Sequence, residues 1–265
     1  MSEPRHVGQS MPRPDAADKA AGRASYIHDL TRPGMLHGKI KFSAHPHARI
    51  LHIDTSRAER LPGVRVVLTG ANTPEVRFGF LRDNLALKRD KVRARRDEIA
   101  AVAAIDPDIA AEAIERIDVE YEPLPTLFDP EAALAEGAPL IHDRDAAGRP
   151  VTSNLLPVRT HHESGDLTAA LRASRHVAQG TFSTPLIQQA CMGTAGCIAE
   201  LDLAGNLTMW AKTQIPLLAQ RDFRRALEAM GLPDRNARVI VPALGGAFGT
   251  GLDTHAYEFI AILLA

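Results

Sequence analysis

Ala237-Arg238-Val239-Ile240-Val241-Pro242-Ala243-Leu244-Gly245-Gly246-Ala247-Phe248-Gly249-Thr250-Gly251 decides how the rest of the chain is read. Its first part has the β-branched character of a strand, and an apolar, helix-like run follows the turn. Four of the eight residues from Leu244 to Gly251 are glycine. Glycine is needed where the backbone takes positive φ, or where a ligand must lie against main-chain N–H groups with no Cβ between them. A loop of this kind opening a helix gathers unpaired N–H donors around an anion or oxo group. Phe248, the one large side chain in it, could wall a small-molecule pocket. An ordinary glycine-rich turn between strand and helix accounts for the composition equally well, because such loops are weak motifs.

The spacing removes the two common nucleotide loops. Lysine is absent from the turn, so there is no G-x-x-x-x-G-K-[ST], and G-x-G-x-x-G fits nowhere in it. A phosphate-cradling NTPase is therefore not expected. Nor do the totals point to nucleic acid or an anionic membrane, since 31 basic residues against 32 acidic ones leave a formal charge of −1. The most charged run, Lys88 to Glu98, is interrupted by acidic residues and carries no interleaved aromatics, so it reads as a solvated face or a subunit contact.

At 265 residues and 45% hydrophobic content, the chain can hold one large or two ordinary domains with real cores. Cys191 and Cys197 do not form a C-x-x-C pair and cannot build a disulfide scaffold; both read as small buried residues in a reducing cytoplasm. Met1 to His6 leads into polar sequence without the apolar core of a signal peptide, and no run approaches the ~20 apolar residues of a membrane span. Tyr257 to Ala265 is apolar and helix-like with no polar cap. Such a helix should be buried, yet nothing follows to bury it, which suggests an N-terminal piece of a longer subunit.

In order, residues 1–20 form a loosely held polar arm. Leu36–Phe42 and Val64–Leu68 read as strands, Ala110–Ile117 as a helix and Ile117–Glu122 as a strand, an α+β mixture. A linker at 146–154 separates residues 21–145 from 155–265. In the second part, Val177–Phe182 and Cys197–Asp202 read as strands, Asp202–Asn206 as a turn, and Leu217–Met230 as a helix ending at Gly231. His161 and His162, adjacent on an expected strand, would point to opposite faces and cannot easily share a metal. His45 and His47 could share a face but have no third ligand in sight.

Gly245-Gly246-Ala247-Phe248-Gly249 resembles the GGxFG loop of the molybdenum-cofactor subunit in the xanthine dehydrogenase/aldehyde oxidase family. Leu207 to Pro216 resembles that family's strand ending in Thr-Gln, here Thr213-Gln214. Gly22–Leu30, Pro33–Gly38, His45–Ile50, Leu61–Val64 and Val119–Pro125 follow in the family's order. The resemblance implies an α/β hammerhead domain over residues 21–145, then the first part of a molybdopterin-binding domain over 155–265. It implies a molybdenum–molybdopterin cofactor, leaving its cytosine dinucleotide form open, with [2Fe-2S] and FAD on partner subunits. The C-terminal half of the molybdenum subunit would be a further partner.

By the same resemblance, Gln214 stands beside the molybdenum, Gly249 offers its N–H to a metal oxygen, Phe248 lines substrate access, and Gly245, Gly246 and Ala247 complete the loop. None is a direct metal ligand. The implied reaction is oxidation of an electron-poor carbon with oxygen from water; some relatives instead dehydroxylate aromatic thioesters, as 4-hydroxybenzoyl-CoA reductases do. The carboxylate general base lies, in the family, beyond the position of Ala265, so this chain alone is expected to be inactive.

The departures bear on substrate and geometry. Leu252 stands where purine-oxidising relatives place a glutamate, which argues against xanthine and leaves aldehydes, N-heterocycles and aromatic CoA thioesters. Gln189 to Thr194 replaces His-Ala-x-Met-Glu-Pro, Thr250-Gly251 replaces Gly-Lys, and the Val-Gly-x-Pro turn expected near Arg95 to Glu98 is absent. From other classes, the chain could be a non-catalytic binding or assembly module, or a nucleotide-binding enzyme that lacks the motif.

Overall fold

A computed structural model of the chain describes residues 8–145, 147–156, 158 and 160–265. The residues read as lacking a signal peptide, 1–6, lie outside these. The chain forms two compact units, one built from residues up to 126 together with 191–265, the other from 127–190.

In the larger unit, α1 (Ala16–Ala20) precedes β1 (His37–Phe42), β2 (Ala48–Asp54), α2 (Ser56–Glu59) and β3 (Val64–Thr69). Three two-residue strands follow, β4 (Arg77–Phe78), β5 (Asn84–Leu85) and β6 (Lys91–Val92), then β7 (Glu98–Ala104), α3 (Pro107–Glu115) and β8 (Asp118–Pro123). β7 runs antiparallel between β1 and β3, and from Ile99 to Ala104 no residue is more than 3% exposed. Its alanines and valine make a thin strand that other layers can approach from both faces. On it lies α3, which starts where Asp106 accepts from the N–H groups of Asp108 and Ile109 and Pro107 occupies the first turn. This helix buries Ala110, Ala113 and Ile114, three positions of one face. A second sheet places β2 between β6 and β8.

The third sheet, built from β9 (Cys197–Leu201), β10 (Leu207–Ala211) and β11 (Ala237–Ile240), holds β10 at its centre, antiparallel to β9 and parallel to β11. A parallel neighbour requires a crossover. That crossover is α6 (Pro216–Ala229), which buries Ala219, Phe223, Ala226 and Leu227 along one stripe and stops at Gly231, φ +80°. Finally, α7 (Ala256–Leu264) packs on β9, β7 and β1, its Phe259 ring 5.3 Å from that of Phe78 and 5.7 Å from that of Phe223. The apolar C-terminal helix expected to lack a cover is thus covered by this chain's own strands.

The smaller unit carries α4 (Pro130–Ala133) and α5 (Leu167–Ala173), capped by Asp129 and Asp166. Among its described residues none is buried. Two expectations fail here: Val177–Phe182 is not a strand, and His161 and His162 do not lie on one. A strand exists only where a neighbour accepts its backbone hydrogen bonds, which local pattern does not supply. No cluster able to hold a metal is found among the described residues.

The charged run is a solvated face only in part: Arg89, Asp90, Arg95 and Arg96 are exposed, but other charges turn inward. Lys88, Lys91 and Asp97 are buried, and the Lys88 ammonium lies 2.9 Å from Glu98 Oε2 and 3.7 Å from Asp97 Oδ1 while donating to the Leu85 carbonyl at 2.8 Å. Arg96 takes φ +72°, the left-handed conformation that favours glycine. Its N–H donates to the Ser43 carbonyl at 3.0 Å, and its guanidinium lies 5.0 Å above the Phe42 ring. These contacts offset part of the left-handed cost of about 1–2 kcal/mol.

We expect Lys88→Met to destabilise the protein by about 3–5 kcal/mol in urea unfolding, because it leaves carboxylates buried without their cation. Arg96→Gly should be neutral or stabilising by up to ~1 kcal/mol, the relieved strain exceeding the lost ring contact.

Candidate functional site

The strand of the Thr-Gln motif ends at Ala211, and Lys212-Thr213-Gln214 leaves the sheet as irregular backbone before Pro216 starts α6. The glycine loop leaves the neighbouring strand β11, and the parallel pairing of the two strands brings Gln214 and residues 245–251 together. Gln214 N–H donates to the Gly251 carbonyl at 3.0 Å, and Gln214 Oε1 accepts from the N–H groups of Gly249 and Gly251, each at 3.2 Å. Two converging N–H donors fix the amide orientation, since a flipped NH₂ would face them donor to donor. The Nε2 donor therefore remains for another acceptor.

The loop does not open the helix directly. Helix α7 begins at Ala256, five residues after Gly251, so the loop's N–H groups are those of a turn rather than of a helix N-terminus. Gly246 has φ +100° and Gly249 +97°; Phe248, between them, has φ +49° and is 74% exposed. Gly246 is bare because a Cβ there would meet the Phe248 ring at 2.9 Å.

An open cleft of about 740 Å³ runs along the loop, lined by Gln214, Val241–Leu244, Gly246, Ala247 and Phe248 on one side. Its other side is formed by Arg13, Asp15, Asp18, Lys19, Ala24 and Ser25. Arg13, Asp15, Asp18 and Lys19, from the stretch read as a loose arm, thus help wall the cleft. The Ser25 carbonyl accepts from Ala243 N–H at 3.0 Å, and Asp15 bridges Arg13 at 2.8 Å and Lys19 at 2.6 Å, which hold its carboxyl well below the usual carboxylate range. A four-residue Asp15–Lys19 spacing was the available signal for this short helix. Leu252 lies outside the cleft and is 60% exposed; Gly245 and Gly249 do not line it either.

Gly245 instead meets Gly193 face to face. Gly193 N–H donates to the Gly245 carbonyl at 2.9 Å, and a Cβ on Gly193 would come within 2.7 Å of Gly245 Cα. The Lys212 ammonium caps the Gly193 carbonyl, and the Cys191 thiol donates to the Ala247 carbonyl at 3.4 Å. Cys191–Gly193 therefore straps the loop from behind, a role that sequence spacing did not disclose.

Residues 21–125 match the family model of the aldehyde oxidase and xanthine dehydrogenase a/b hammerhead domain, and residues 149–265 match that of the molybdopterin cofactor-binding domain. The chain belongs to the xanthine dehydrogenase/aldehyde oxidase family. This is the family of molybdenum-dependent oxidoreductases expected from the loop, with the expected α+β fold of a hammerhead followed by a molybdopterin-binding domain. The chain is 34% identical over 253 residues to a probable xanthine dehydrogenase subunit of Bacillus subtilis, covering 95% of this chain and 32% of that one. It is 33% identical over 258 residues to the carbon monoxide dehydrogenase large chain of Afipia carboxidovorans, covering 91% and 31%. The solved quinoline 2-oxidoreductase of Pseudomonas putida 86 matches with a TM-score of 0.80 at 30% identity, covering 97% and 33%. The chain thus spans about a third of the length of these relatives. Among its described residues, no helix is long and apolar enough to cross a membrane.

Behind the loop of this family member, Glu258 is 1% exposed and accepts from His255 N–H at 2.8 Å at the start of α7. Burial pushes its carboxyl up to about 7, with the nearby Asp253 charge acting in the same direction and the His255 N–H against it. Burial, together with the Glu258 charge, raises the Tyr257 hydroxyl and the half-buried Cys197 thiol as well. Neither cysteine is fully buried, contrary to expectation. For Glu258 the native value lies above the unfolded one, so its stabilisation is complete below about pH 4.5 and is lost as pH rises through 7. The loss amounts to about 3 kcal/mol. Urea unfolding of Glu258→Gln at pH 5 to 8 should show a flatter profile than the parent, with the variant the more stable above pH 7.

Proposed function

We propose that this chain is part of the molybdenum-cofactor subunit of a molybdenum hydroxylase, and that Gln214 and the Gly245–Gly249 loop hold the cofactor. The observation that carries the reading is the junction of Gln214 with Gly249 and Gly251 beside an open cleft. A carboxamide whose oxygen is already satisfied keeps its NH₂ group for an oxygen acceptor, and the bare backbone of Gly249, with no atom within 4 Å of its Cβ position, leaves room for a ligand at close range. These residues fit the group. When bound, the cofactor supplies the two-electron redox chemistry. The chain's own residues would bind and orient it. Gln214 Nε2 donates to an oxygen, Phe248 walls the substrate side, and the Cys191–Gly193 strap keeps the loop from yielding. Gly249 N–H, assigned by resemblance to a metal oxygen, is taken by Gln214 and must exchange partners to serve that role.

Residues 21–145 would form the hammerhead and 155–265 the first part of the cofactor domain, joined at 146–154. Partners would be the remaining part of the molybdenum subunit and iron–sulfur and flavin subunits, in the cytoplasm. The substrate class is an aldehyde, N-heterocycle or aromatic CoA thioester, a range supported by the likeness to a quinoline oxidoreductase. Either nucleotide form of the pterin is compatible with this reading, and catalysis waits on the general base that the partner provides. The engagement of Gly249 N–H favours one second reading, a non-catalytic assembly module.

Molybdenum and pterin content of the purified complex tests this. Gln214→Glu, which keeps an oxygen for the Gly249 and Gly251 N–H groups and removes the Nε2 donor, should lower retention about 10–100-fold, the worth of one hydrogen bond to a charged group, with little change in thermal unfolding. Unchanged retention would remove Gln214 from the site, and a parent complex free of molybdenum and pterin would favour the assembly module.

A further inference from the structure

The peptide unit joining Thr250 to Gly251 is gripped on both edges by side chains. On one edge the Thr250 carbonyl accepts from His255 Nε2 at 2.7 Å; on the other the Gly251 N–H donates to Gln214 Oε1 at 3.2 Å. A carbonyl can only accept, so Nε2 carries the proton. A trans peptide is planar, with its C=O and N–H pointing opposite ways, and a hold on the oxygen therefore sets the direction of the N–H. His255 does not line the cleft, yet it acts in this way on a residue that does.

The unit needs that hold. Gly251 can take φ of either sign, so with no partner for the Thr250 oxygen the plane can turn over at little steric cost. Turned over, it would set a carbonyl against Gln214 Oε1, acceptor to acceptor, and the amide would lose one of the two donors that orient it. The Thr250 N–H and hydroxyl are both committed to the Ala247 carbonyl, at 2.9 and 2.7 Å, and leave the next peptide unit to His255 and Gln214. His255 is itself fixed: its N–H donates to the buried Glu258 carboxyl at 2.8 Å, and its ring stacks on Tyr257 with centroids 5.7 Å apart and planes at 11°. It stands as a post at the start of α7, which Phe259, Ile260 and Ile262 anchor in the core.

We propose that His255 is a positioning residue for the cofactor loop: its Nε2–H holds the Thr250–Gly251 peptide so that Gln214 Oε1 stays engaged and Gln214 Nε2 stays free for the ligand. The inference rests on the function proposed above for Gln214. His255 touches neither cofactor nor substrate on this reading; it acts on them through one peptide plane and one amide.

The test is amide hydrogen exchange, read residue by residue by NMR on the full chain, with two variants at one position. His255→Phe keeps a ring for Tyr257 and removes the donor, whereas His255→Gln returns a donor nitrogen at a similar reach. Gly251 is buried, so its amide exchanges only when the turn opens. In His255→Phe that amide should exchange about 3–10-fold faster, the worth of one neutral hydrogen bond, while the amides of α7 stay within about 2-fold of the parent. His255→Gln should bring Gly251 back towards the parent rate, and molybdenum retained by the purified complex should fall in the first variant and recover in the second. The inference is overturned if Gly251 exchanges alike in the parent and His255→Phe, or if His255→Gln restores nothing. It is overturned as well if the α7 amides speed up together with Gly251, which marks a helix cap and nothing more, or if a parent complex that holds molybdenum loses none of it in His255→Phe. Should His255→Phe not fold, the parent decides: nitrogen-15 shifts of the His255 ring must show a proton on Nε2, and a bare Nε2 overturns the proposal. A parent complex free of molybdenum whose Gly251 responds as expected removes the proposed function and keeps the positioning role; a molybdenum-bearing parent whose Gly251 ignores the substitution does the reverse.

Discussion

The apolar face of α7 is the constraint on which the rest of the larger unit depends. Phe259, Ile260 and Ile262 are buried against strands from both the beginning and the end of the chain, and one continuous core runs from Leu68 and Ala101 to Leu207, Met209 and Phe223. Burial of three such side chains contributes about 1.5–3 kcal/mol each. The glycine loop lies between β11 and α7, so its two ends are fixed by that core while its middle remains free to present bare backbone.

Within this frame, Gln214 acts as the loop's internal template. Its main chain pairs with Gly251 and its side chain gathers two further N–H groups, so an irregular turn acquires the hydrogen bonds a strand or helix would otherwise provide. The same contact orients the amide. Loop structure and amide orientation are here a single arrangement, and through it a glutamine of ordinary appearance at a strand end comes to line the cleft.

Much of the fold was legible. Alternation gave β3 and β8, helical spacing gave α3 and α6, and Gly231 marked the end of α6. What failed, failed for lack of long-range information. Val177–Phe182 has strand composition without a partner, and the charge of Lys88 to Glu98 conceals that Lys88 finds two carboxylates in the interior. In the site, the glycine spacing and Gln214 were visible in sequence as a family pattern. The wall formed by Arg13 to Ser25 and the strap at Cys191 to Gly193 were not, because each depends on segments far apart in the chain meeting at backbone level. Leu252, placed near substrate by resemblance, does not line this cleft.

The mutual contact of Gly193 and Gly245 has an evolutionary consequence. Neither position can gain so much as a methyl group while the other segment stays where it is, so the two are free to drift only in concert. Were a larger residue to stand at the first, the second would have to move with it, and the loop beside the cleft would change shape as a package rather than one substitution at a time.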